Sequence, residues 1–207
     1  DESRNAYWSQ SNSFTDVAAD AWYNNAISTM ANAGILDGYE DGSFHPNGYI
    51  TRAEFAVIAA RFFDMDYQGE DLFPDIDGHW AAASLRKGVE LGLLKGINGK
   101  IMPNNSVKRS EAIVILNRAL GATQADSVSG LAANQQSAWY SEDLGKAIHL
   151  GLITANDNRS FDTAATRAEA FVLMARAFAY DRAETATDEL TQAFYKVSEK
   201  MYQQANP

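Results

Sequence analysis

One pattern occurs three times in this sequence at a nearly constant spacing. Trp22, Trp80 and Trp139 are 58 and 59 residues apart. After each tryptophan, a four-residue motif opens an apolar run. The three copies are Thr51-Arg52-Ala53-Glu54, Lys108-Arg109-Ser110-Glu111 and Thr166-Arg167-Ala168-Glu169. A fixed period of this length is typical of a repeat architecture, because a unit of about fifty residues buries too little apolar surface to be stable alone. The repeats predict three modules that share one core.

The spacing of apolar residues predicts two helices in each repeat. The first helix runs from the tryptophan to a glycine twelve positions later, at Gly34, Gly92 or Gly151. Glycine is favoured there because it adopts the left-handed conformation that closes a helix. The second helix begins at the four-residue motif and is apolar on most faces, which indicates burial. We therefore expect the three motif helices at the centre and the tryptophan-led helices outside them.

The chain also contains segments that do not repeat. Residues 122–137 are small and polar, which is typical of a linker. Near the end, Leu190, Phe194, Val197 and Met201 recur at helical spacing, which predicts one amphipathic helix. The predicted boundaries are a lead-in at 1–13, repeats at 14–72, 73–121 and 138–180, the linker at 122–137, and the C-terminal helix or start of a stalk at 181–207.

The motif has the pattern of a capping box, in which a threonine and a glutamate bond reciprocally to backbone amides at a helix start. Thr51 with Glu54 and Thr166 with Glu169 fit this pattern. In the second repeat Lys108 stands at the position of the threonine, three residues before Glu111. Capping does not explain the arginine, since a positive charge in the first turn opposes the helix dipole.

The arginine is kept even in the repeat that has lost the capping threonine. A guanidinium at a helix N-terminus is suited to a carboxylate or phosphate. We therefore interpret Arg52, Arg109 and Arg167 as anion-binding residues. The alternative is a structural bridge to Asp16, to Asp75 or to a turn acid of the adjacent repeat.

Composition excludes several classes of function. The net charge of −10 and the lack of Lys/Arg clusters argue against nucleic acid as a partner. The chain has no cysteine, and no apolar stretch is long enough to span a bilayer, so we predict no membrane insertion. No nucleophile or phosphate-cradling motif occurs, and the three histidines occupy unlike positions in the repeats. We predict no catalytic residue, no metal site and no cofactor.

The repeated residues closely resemble the S-layer homology (SLH) family. The resemblance covers about residues 14 to 180. It rests on Phe14-Thr15-Asp16-Val17 and Phe73-Pro74-Asp75-Ile76, on the three tryptophans, on the turn at residues 38–44 and on the four-residue motifs. This resemblance implies an all-α fold, in which three helix–loop–helix repeats are arranged with pseudo-threefold symmetry around a central three-helix bundle, plus the C-terminal helix.

The resemblance also implies a function. SLH modules anchor surface proteins without a covalent bond, by binding a secondary cell-wall polysaccharide that commonly carries pyruvylated N-acetylmannosamine. The implied ligand residues are Arg52, Arg109, Arg167, Trp22, Trp80, Trp139, Gly38 and Gly96. The implied helix-capping support is Thr51, Glu54, Glu111, Thr166 and Glu169. The implied location is extracellular, in the cell wall or S-layer, with a signal peptide already removed.

Three points stay open at the level of sequence. In this family the ligand binds in grooves between the repeats. Lys108 departs from the family pattern, and repeat three lacks the turn glycines and the Phe-Pro-Asp signature. We therefore expect one or two of the three grooves to be able to bind ligand. The tryptophans are interpreted first as core wedges and second as ligand contacts. The alternative function is a self-assembly module of a surface layer that binds through protein contacts.

Overall fold

The computed structural model describes residues 14–62 and 73–185. Within these ranges the chain is helical and forms isolated β-bridges but no strand. The helices are α1 (Asn24–Asn32), α2 (Arg52–Phe62), α3 (Ala82–Glu90), α4 (Arg109–Ala119), α5 (Ala133–Gln136), α6 (Ser141–His149) and α7 (167–185). A 3₁₀ turn at Pro74–Ile76 precedes α3. The all-α prediction is confirmed, whereas the lead-in at 1–13 and most of the C-terminal helix lie outside the described residues.

The tryptophan-led helices α1, α3 and α6 begin two residues after their tryptophans rather than at them. The predicted glycine caps are confirmed: Gly34, Gly92 and Gly151 have φ of 69°, 71° and 71°. In each case the glycine amide and the next amide donate back to carbonyls of the last helical turn, as with Gly34 to Ala31 and Ile35 to Met30. These caps turn the chain sharply into the loops that follow.

The motif helices are buried, as their apolar sequence predicts. In α4, the five consecutive residues from Ala112 to Leu116 are buried, and in α7 the six consecutive residues from Ala170 to Ala175 are buried. Two motif helices pack against the tryptophan-led helix of the next repeat, because α2 packs on α3 and α4 packs on α6. The core therefore includes contacts between repeats as well as contacts within them.

Three backbone segments, one from each repeat, are joined in a closed ring. The amide of Ile50 donates to the carbonyl of Ala165 at 3.3 Å, Ala165 donates to Val107 at 2.8 Å, and Val107 donates to Ile50 at 3.0 Å. Each segment immediately precedes a motif helix. Because every segment gives one hydrogen bond and receives one, the starts of α2, α4 and α7 are fixed relative to one another.

The first two repeats each begin with a phenylalanine followed two residues later by an aspartate, Phe14 with Asp16 and Phe73 with Asp75. This Phe-x-Asp signature fixes the loop of its own repeat. The carboxylate of Asp16 accepts the amides of Phe44 and His45 at 2.7 and 2.8 Å. In repeat two, Asp75 accepts the equivalent amides of Ile101 and Met102 at 3.1 and 2.7 Å. His45 and Met102 have φ of 56° and 55°, a conformation that residues with a side chain rarely adopt. The carboxylate stabilises this strained turn.

Repeat three holds its loop by a different contact. The segment 122–137 contains the short helix α5. Two residues of this segment are buried, Leu131 before the helix and Gln135 within it. The side-chain amide of Gln135 donates to the carbonyl of Arg159 in the loop at 2.8 Å. A glutamine in this segment therefore supports a loop that has no Phe-x-Asp carboxylate.

No helix in the described part of the chain is both long enough and apolar enough to cross a bilayer.

Tyr140 ties α6 to the loop of repeat three and gives the fold a testable pH dependence. It is 1% exposed and donates its hydroxyl to Asp162 Oδ2 at 2.7 Å. Burial, together with that hydrogen bond, raises the pKa of Tyr140 to about 12. A phenol in an unfolded chain titrates at about pH 10, so the unfolded state loses this proton first as the pH rises. The stability from this group is complete below about pH 10 and is lost towards pH 12.

We expect Tyr140→Phe to show a shallower loss of stability between pH 10 and pH 12 than the wild type. The measurement is the urea midpoint at a series of pH values from 8 to 12. Tyr39→Phe, at a 45% exposed tyrosine, is the matched control. Parallel profiles for Tyr140→Phe and wild type would contradict this prediction.

Candidate functional site

The three motif arginines begin α2, α4 and α7, and each extends into the neighbouring repeat. They are buried, with 6%, 2% and 6% exposure for Arg52, Arg109 and Arg167. Their backbone position is set by the loops that they enter, because their amides donate to the carbonyls of Asn105, Thr163 and Gly48. Repeat one therefore inserts its arginine into repeat two, repeat two into repeat three, and repeat three into repeat one.

Arg52 makes three hydrogen bonds in repeat two. Its Nε donates to the carbonyl of Ile101 at 2.8 Å, Nη1 donates to Glu111 Oε1 at 2.9 Å, and Nη2 donates to the carbonyl of Lys95 at 3.3 Å. A guanidinium has five N–H donors, and the described residues accept from three of those of Arg52. The other two donors can bond to a ligand.

Arg167 is bound less extensively in repeat one. Its Nε donates to the carbonyl of Phe44 at 2.9 Å, and Nη1 reaches Glu54 Oε1 at 3.5 Å. Its guanidinium lies 5.0 Å from the ring centres of both Tyr39 and Phe44. Within the described ranges, Nη2 of Arg167 has no hydrogen-bond partner. The Arg167 guanidinium is thus held by two hydrogen bonds and by packing on two aromatic rings, and the N–H donors of Nη2 can bond to a ligand.

The motif glutamates serve two partners at once. Oε2 of Glu54 accepts the amide of Thr51 at 2.8 Å, and the amide of Glu54 donates to Thr51 Oγ1 at 3.1 Å. Thr166 and Glu169 repeat this reciprocal pair at 3.0 and 3.2 Å, so both capping boxes are present. In repeat two only half is formed, because the lysine that replaces threonine has no acceptor and Glu111 alone bonds to its amide.

The second oxygen of each motif glutamate faces the arginine of the preceding repeat. Oε1 lies 2.9 Å from Arg52 in Glu111, 3.7 Å from Arg109 in Glu169, and 3.5 Å from Arg167 in Glu54. The glutamate therefore caps its own helix and orients an arginine that comes from another repeat.

The structural alternative for the arginines holds in one repeat. Asp16 and Asp75 accept loop amides, as described above, and form no ion pair with a motif arginine. A turn acid does bind Arg109, since Asp157 Oδ2 is 3.2 Å from its Nη2. Arg109 has an internal carboxylate partner of the kind that the alternative describes.

The interpretation of the tryptophans as core wedges is wrong. Trp22, Trp80 and Trp139 are 61%, 67% and 70% exposed. The inner position is taken in two repeats by the next residue, because Tyr23 packs against the core and Tyr140 is buried. Each tryptophan precedes the first helical turn and stands at the surface.

The two turn glycines are required for space. A Cβ on Gly38 would lie 2.3 Å from the ring of Phe14 and 2.8 Å from the carbonyl of Ser43. A Cβ on Gly96 would lie 2.4 Å from the ring of Phe73. The phenylalanine of the Phe-x-Asp signature thus packs on the glycine of its own loop. Both glycines also line grooves.

Three grooves bring these residues together, and each draws on all three repeats. Groove 1 is lined by Asp37, Gly38, Tyr39, Glu54, Trp80 and Arg167. Groove 2 is lined by Arg52, Lys95, Gly96, Glu111, Arg118 and Trp139. Groove 3 is lined by Trp22, Arg109, Arg159, Glu169 and Arg176. Their volumes are about 210, 220 and 210 Å³. Each groove combines one repeat's loop and motif helix with the preceding repeat's arginine and the following repeat's tryptophan.

Groove 3 differs in its electrostatics. Arg159 donates Nε and Nη2 to the two oxygens of Asp157, at 3.0 and 2.7 Å, and its guanidinium lies 6.0 Å from the ring of Trp22. Burial raises the pKa of the Asp157 carboxyl, but Arg159 and Arg109 lower it on balance. Burial and the charge of Arg159 lower the pKa of Arg109 despite the two carboxylates beside it. An internal carboxylate therefore already occupies the arginines of this groove.

Sequence reasoning missed three residues that line the grooves. Arg118 donates to the carbonyl of Leu93 at 3.2 Å, and Arg176 donates to Leu152 at 2.7 Å. Both lie seven residues after a motif glutamate, and this recurrence was the available signal. Arg159 had only a weak signal, as an arginine in a loop that has lost its glycines.

A family model described as S-layer homology domain matches residues 13–56 and 72–113, which lie in the first two repeats. The chain is also similar to three curated proteins. It is 36% identical over 130 residues to cell surface glycoprotein 1 of Acetivibrio thermocellus, a match that covers 56% of this chain and 6% of the relative.

The cellulosome-anchoring protein of the same organism is 35% identical over 52% of this chain and 26% of the relative. The surface-layer 125 kDa protein of Lysinibacillus sphaericus is 36% identical over 52% of this chain and 10% of the relative. The matches thus span about a quarter or less of these relatives.

Proposed function

Because this chain belongs to the S-layer homology domain family, we propose that it anchors a surface protein to the cell wall without a covalent bond. Its ligand is a secondary cell-wall polysaccharide with pyruvylated N-acetylmannosamine, bound in the grooves. We place the protein outside the cell, and we assign the chain itself no catalytic role. The names of the relatives, a surface-layer protein and an anchoring protein among them, support this assignment.

One observation carries the proposal: each groove pairs a motif arginine with an exposed tryptophan. An exposed indole is suited to stacking on a sugar ring, while a guanidinium with spare N–H donors is suited to a carboxylate. The pairs are Arg167 with Trp80, Arg52 with Trp139, and Arg109 with Trp22. An acidic saccharide needs both groups, and each groove supplies them despite the net charge of −10.

We further infer that the repeats are arranged with pseudo-threefold symmetry around the bundle of motif helices. The closed backbone ring supports this arrangement, as does the cyclic insertion of the three arginines. Under this arrangement the grooves are related by rotation, so a polymer chain can meet the same pair of groups from three directions.

The test is sedimentation with purified cell-wall sacculi, before and after the polysaccharide is removed. We expect the wild-type chain to sediment only with intact sacculi. The triple variant Trp22→Ala, Trp80→Ala and Trp139→Ala should stay in solution and still melt within a few degrees of the wild type, because the three side chains are mostly exposed. The exposed Tyr49→Ala, outside the three grooves, is the control.

Two results would count against the proposal. Equal sedimentation with stripped sacculi would show that the polysaccharide is not the ligand. Full sedimentation of the folded triple variant would favour the alternative, in which a surface layer assembles through protein contacts.

A further inference from the structure

Two of the three motif arginines donate to their receiving loop through the same nitrogen. Nε of Arg167 donates to the carbonyl of Phe44 at 2.9 Å in groove 1, and Nε of Arg52 donates to the carbonyl of Ile101 at 2.8 Å in groove 2. In both grooves Nη1 of the arginine faces a motif glutamate. A loop carbonyl therefore sets the orientation of the guanidinium in these two grooves.

Arg109 has a different orientation in groove 3. Its Nε is buried and has no hydrogen-bond partner among the described residues, although Glu169 Oε1 lies 3.7 Å away. Nη1 donates to the carbonyl of Ser160 at 3.0 Å, and Nη2 donates to Asp157 Oδ2 at 3.2 Å. A buried donor without a partner is unfavourable, so a stronger interaction has to hold the guanidinium in this orientation. The Asp157 carboxylate supplies that interaction.

Asp157 is itself fixed by a second arginine. Its side chain is 5% exposed, and it accepts the amide of Arg159 at 3.1 Å as well as Nε and Nη2 of Arg159 at 3.0 and 2.7 Å. Burial raises the pKa of Asp157, but these hydrogen bonds and the charge of Arg109 lower it on balance. The carboxylate is therefore ionised near neutral pH and lies between two guanidinium groups.

Asp157 presents to groove 3 the same chemical group that an acidic saccharide would bring. Arg159 also lies 3.6 Å from Glu169 Oε1, and its guanidinium is 6.0 Å from the ring of Trp22. An external carboxylate would have to displace one that the loop already holds against the arginine. A tethered group competes at a high effective concentration, so the internal carboxylate has the advantage.

We propose that Asp157 takes the place of the ligand carboxylate and closes groove 3 to the acidic saccharide. This inference rests on the proposed function and limits binding to the other two grooves. Groove 3 keeps both Arg109 and Trp22, but it uses the arginine to fasten repeat two to the loop of repeat three. Removing the charge of Asp157 should therefore turn a structural contact into a binding site.

Each groove is lined by one tryptophan, so binding can be followed groove by groove. In a ¹⁵N-labelled chain, the indole signals of Trp80, Trp139 and Trp22 report grooves 1, 2 and 3, and Trp→Phe variants assign them. The probe is pyruvylated N-acetylmannosamine, with N-acetylmannosamine for comparison. In the wild-type chain we expect the Trp22 signal to stay unchanged at a concentration that shifts Trp80 and Trp139.

Asp157→Asn keeps the size of the side chain and removes its charge. It should lower the apparent Kd for the pyruvylated sugar at Trp22 by at least about tenfold, the effect of one charge-assisted hydrogen bond that becomes available to the ligand. The neutral sugar should not shift Trp22 in this variant. Asp157→Ser, which keeps an acceptor for the Arg159 amide, should act in the same way.

Asp126→Asn is the matched control, because it makes the same change at an exposed aspartate outside the lining of groove 3. It should leave Trp22 as unresponsive as in the wild type. The responses of Trp80 and Trp139 should be the same in all variants, which shows that the fold is kept.

The outcomes separate the two proposals. If Trp22 of the wild-type chain shifts together with Trp80 and Trp139, or if it stays unresponsive in folded Asp157→Asn, the role of Asp157 is wrong and the proposed function stands. If no indole shifts with the pyruvylated sugar in the wild-type chain or in the variants, the proposed ligand is wrong and this inference fails with it.

Discussion

Phe44→Ala is expected to lower the free energy of unfolding by about 3–5 kcal/mol, the range for removing a fully buried phenylalanine. Phe44 is 0% exposed, and its ring centre lies 5.6 Å from that of Phe14 and 5.2 Å from that of Phe171. Its ring also packs on the Arg167 guanidinium. The cavity would therefore open where the loop of repeat one, helix α7 and a motif arginine meet.

The measurement for Phe44 is urea unfolding followed by circular dichroism. Phe44→Leu is the matched comparison, since it keeps most of the apolar volume and should cost less than half as much. The exposed Tyr39 borders the same groove, and Tyr39→Ala should change the stability by less than about 1 kcal/mol. A loss below 1 kcal/mol for Phe44→Ala would contradict the packing described here.

Arg52→Ala is expected to lower the free energy of unfolding by about 2–3 kcal/mol and to weaken binding in groove 2 by about tenfold to a hundredfold. Removing one member of a fully buried ion pair costs about 3–5 kcal/mol. The cost is smaller here because the Glu111 side chain retains 20% exposure. The expected loss of binding corresponds to one charge-assisted hydrogen bond, about 1.5–3 kcal/mol.

Two further variants separate stability from binding at this position. Arg52→Met keeps the packing of the side-chain stem but removes the charge, so it should bind as weakly as Arg52→Ala. Arg52→Lys keeps the charge but carries its donors on one nitrogen, so it cannot reach the three acceptors that Nε, Nη1 and Nη2 of Arg52 contact, and it should fall between Arg52→Met and wild type in binding. Unfolding is measured in urea. Binding is measured by the shift of the Trp139 indole signal in a ¹⁵N-labelled chain as pyruvylated N-acetylmannosamine is added. Equal binding by Arg52→Met and wild type would remove this arginine from the ligand site.

The features predicted correctly from the sequence are those decided by local chemistry. Gly34, Gly92 and Gly151 each adopt the left-handed backbone conformation that favours glycine at the end of a helix. The reciprocal hydrogen bonds of Thr51 and Glu54 join residues only three positions apart. The burial of the motif helices follows from apolar residues on nearly every face. In each case the interacting groups are close in the sequence, so the pattern contains both partners.

The features that were missed depend on contacts between repeats. Helical periodicity shows which face of a helix is apolar, but it does not show which repeat that face meets. The pattern therefore predicted a guanidinium at each motif helix without locating its receiving loop. The tryptophans were placed inside because their size favours burial, whereas the neighbouring Tyr140 fills the inner position in repeat three. Asp157 was not assigned to Arg109 because 48 residues separate them.

The hydrogen-bonded ring of Ile50, Val107 and Ala165 fixes the copy number of this architecture. In an open solenoid a further unit can be stacked on either end, but a closed cycle has no end to extend. Loss of a single unit would break two of its three links and insertion of one would break one link, so the number of units cannot change without rebuilding the cycle. Closure also spans the 123 residues between Arg167 and Phe44, and a contact so distant in sequence slows folding, because the entropy of closing the loop is lost before the contact forms.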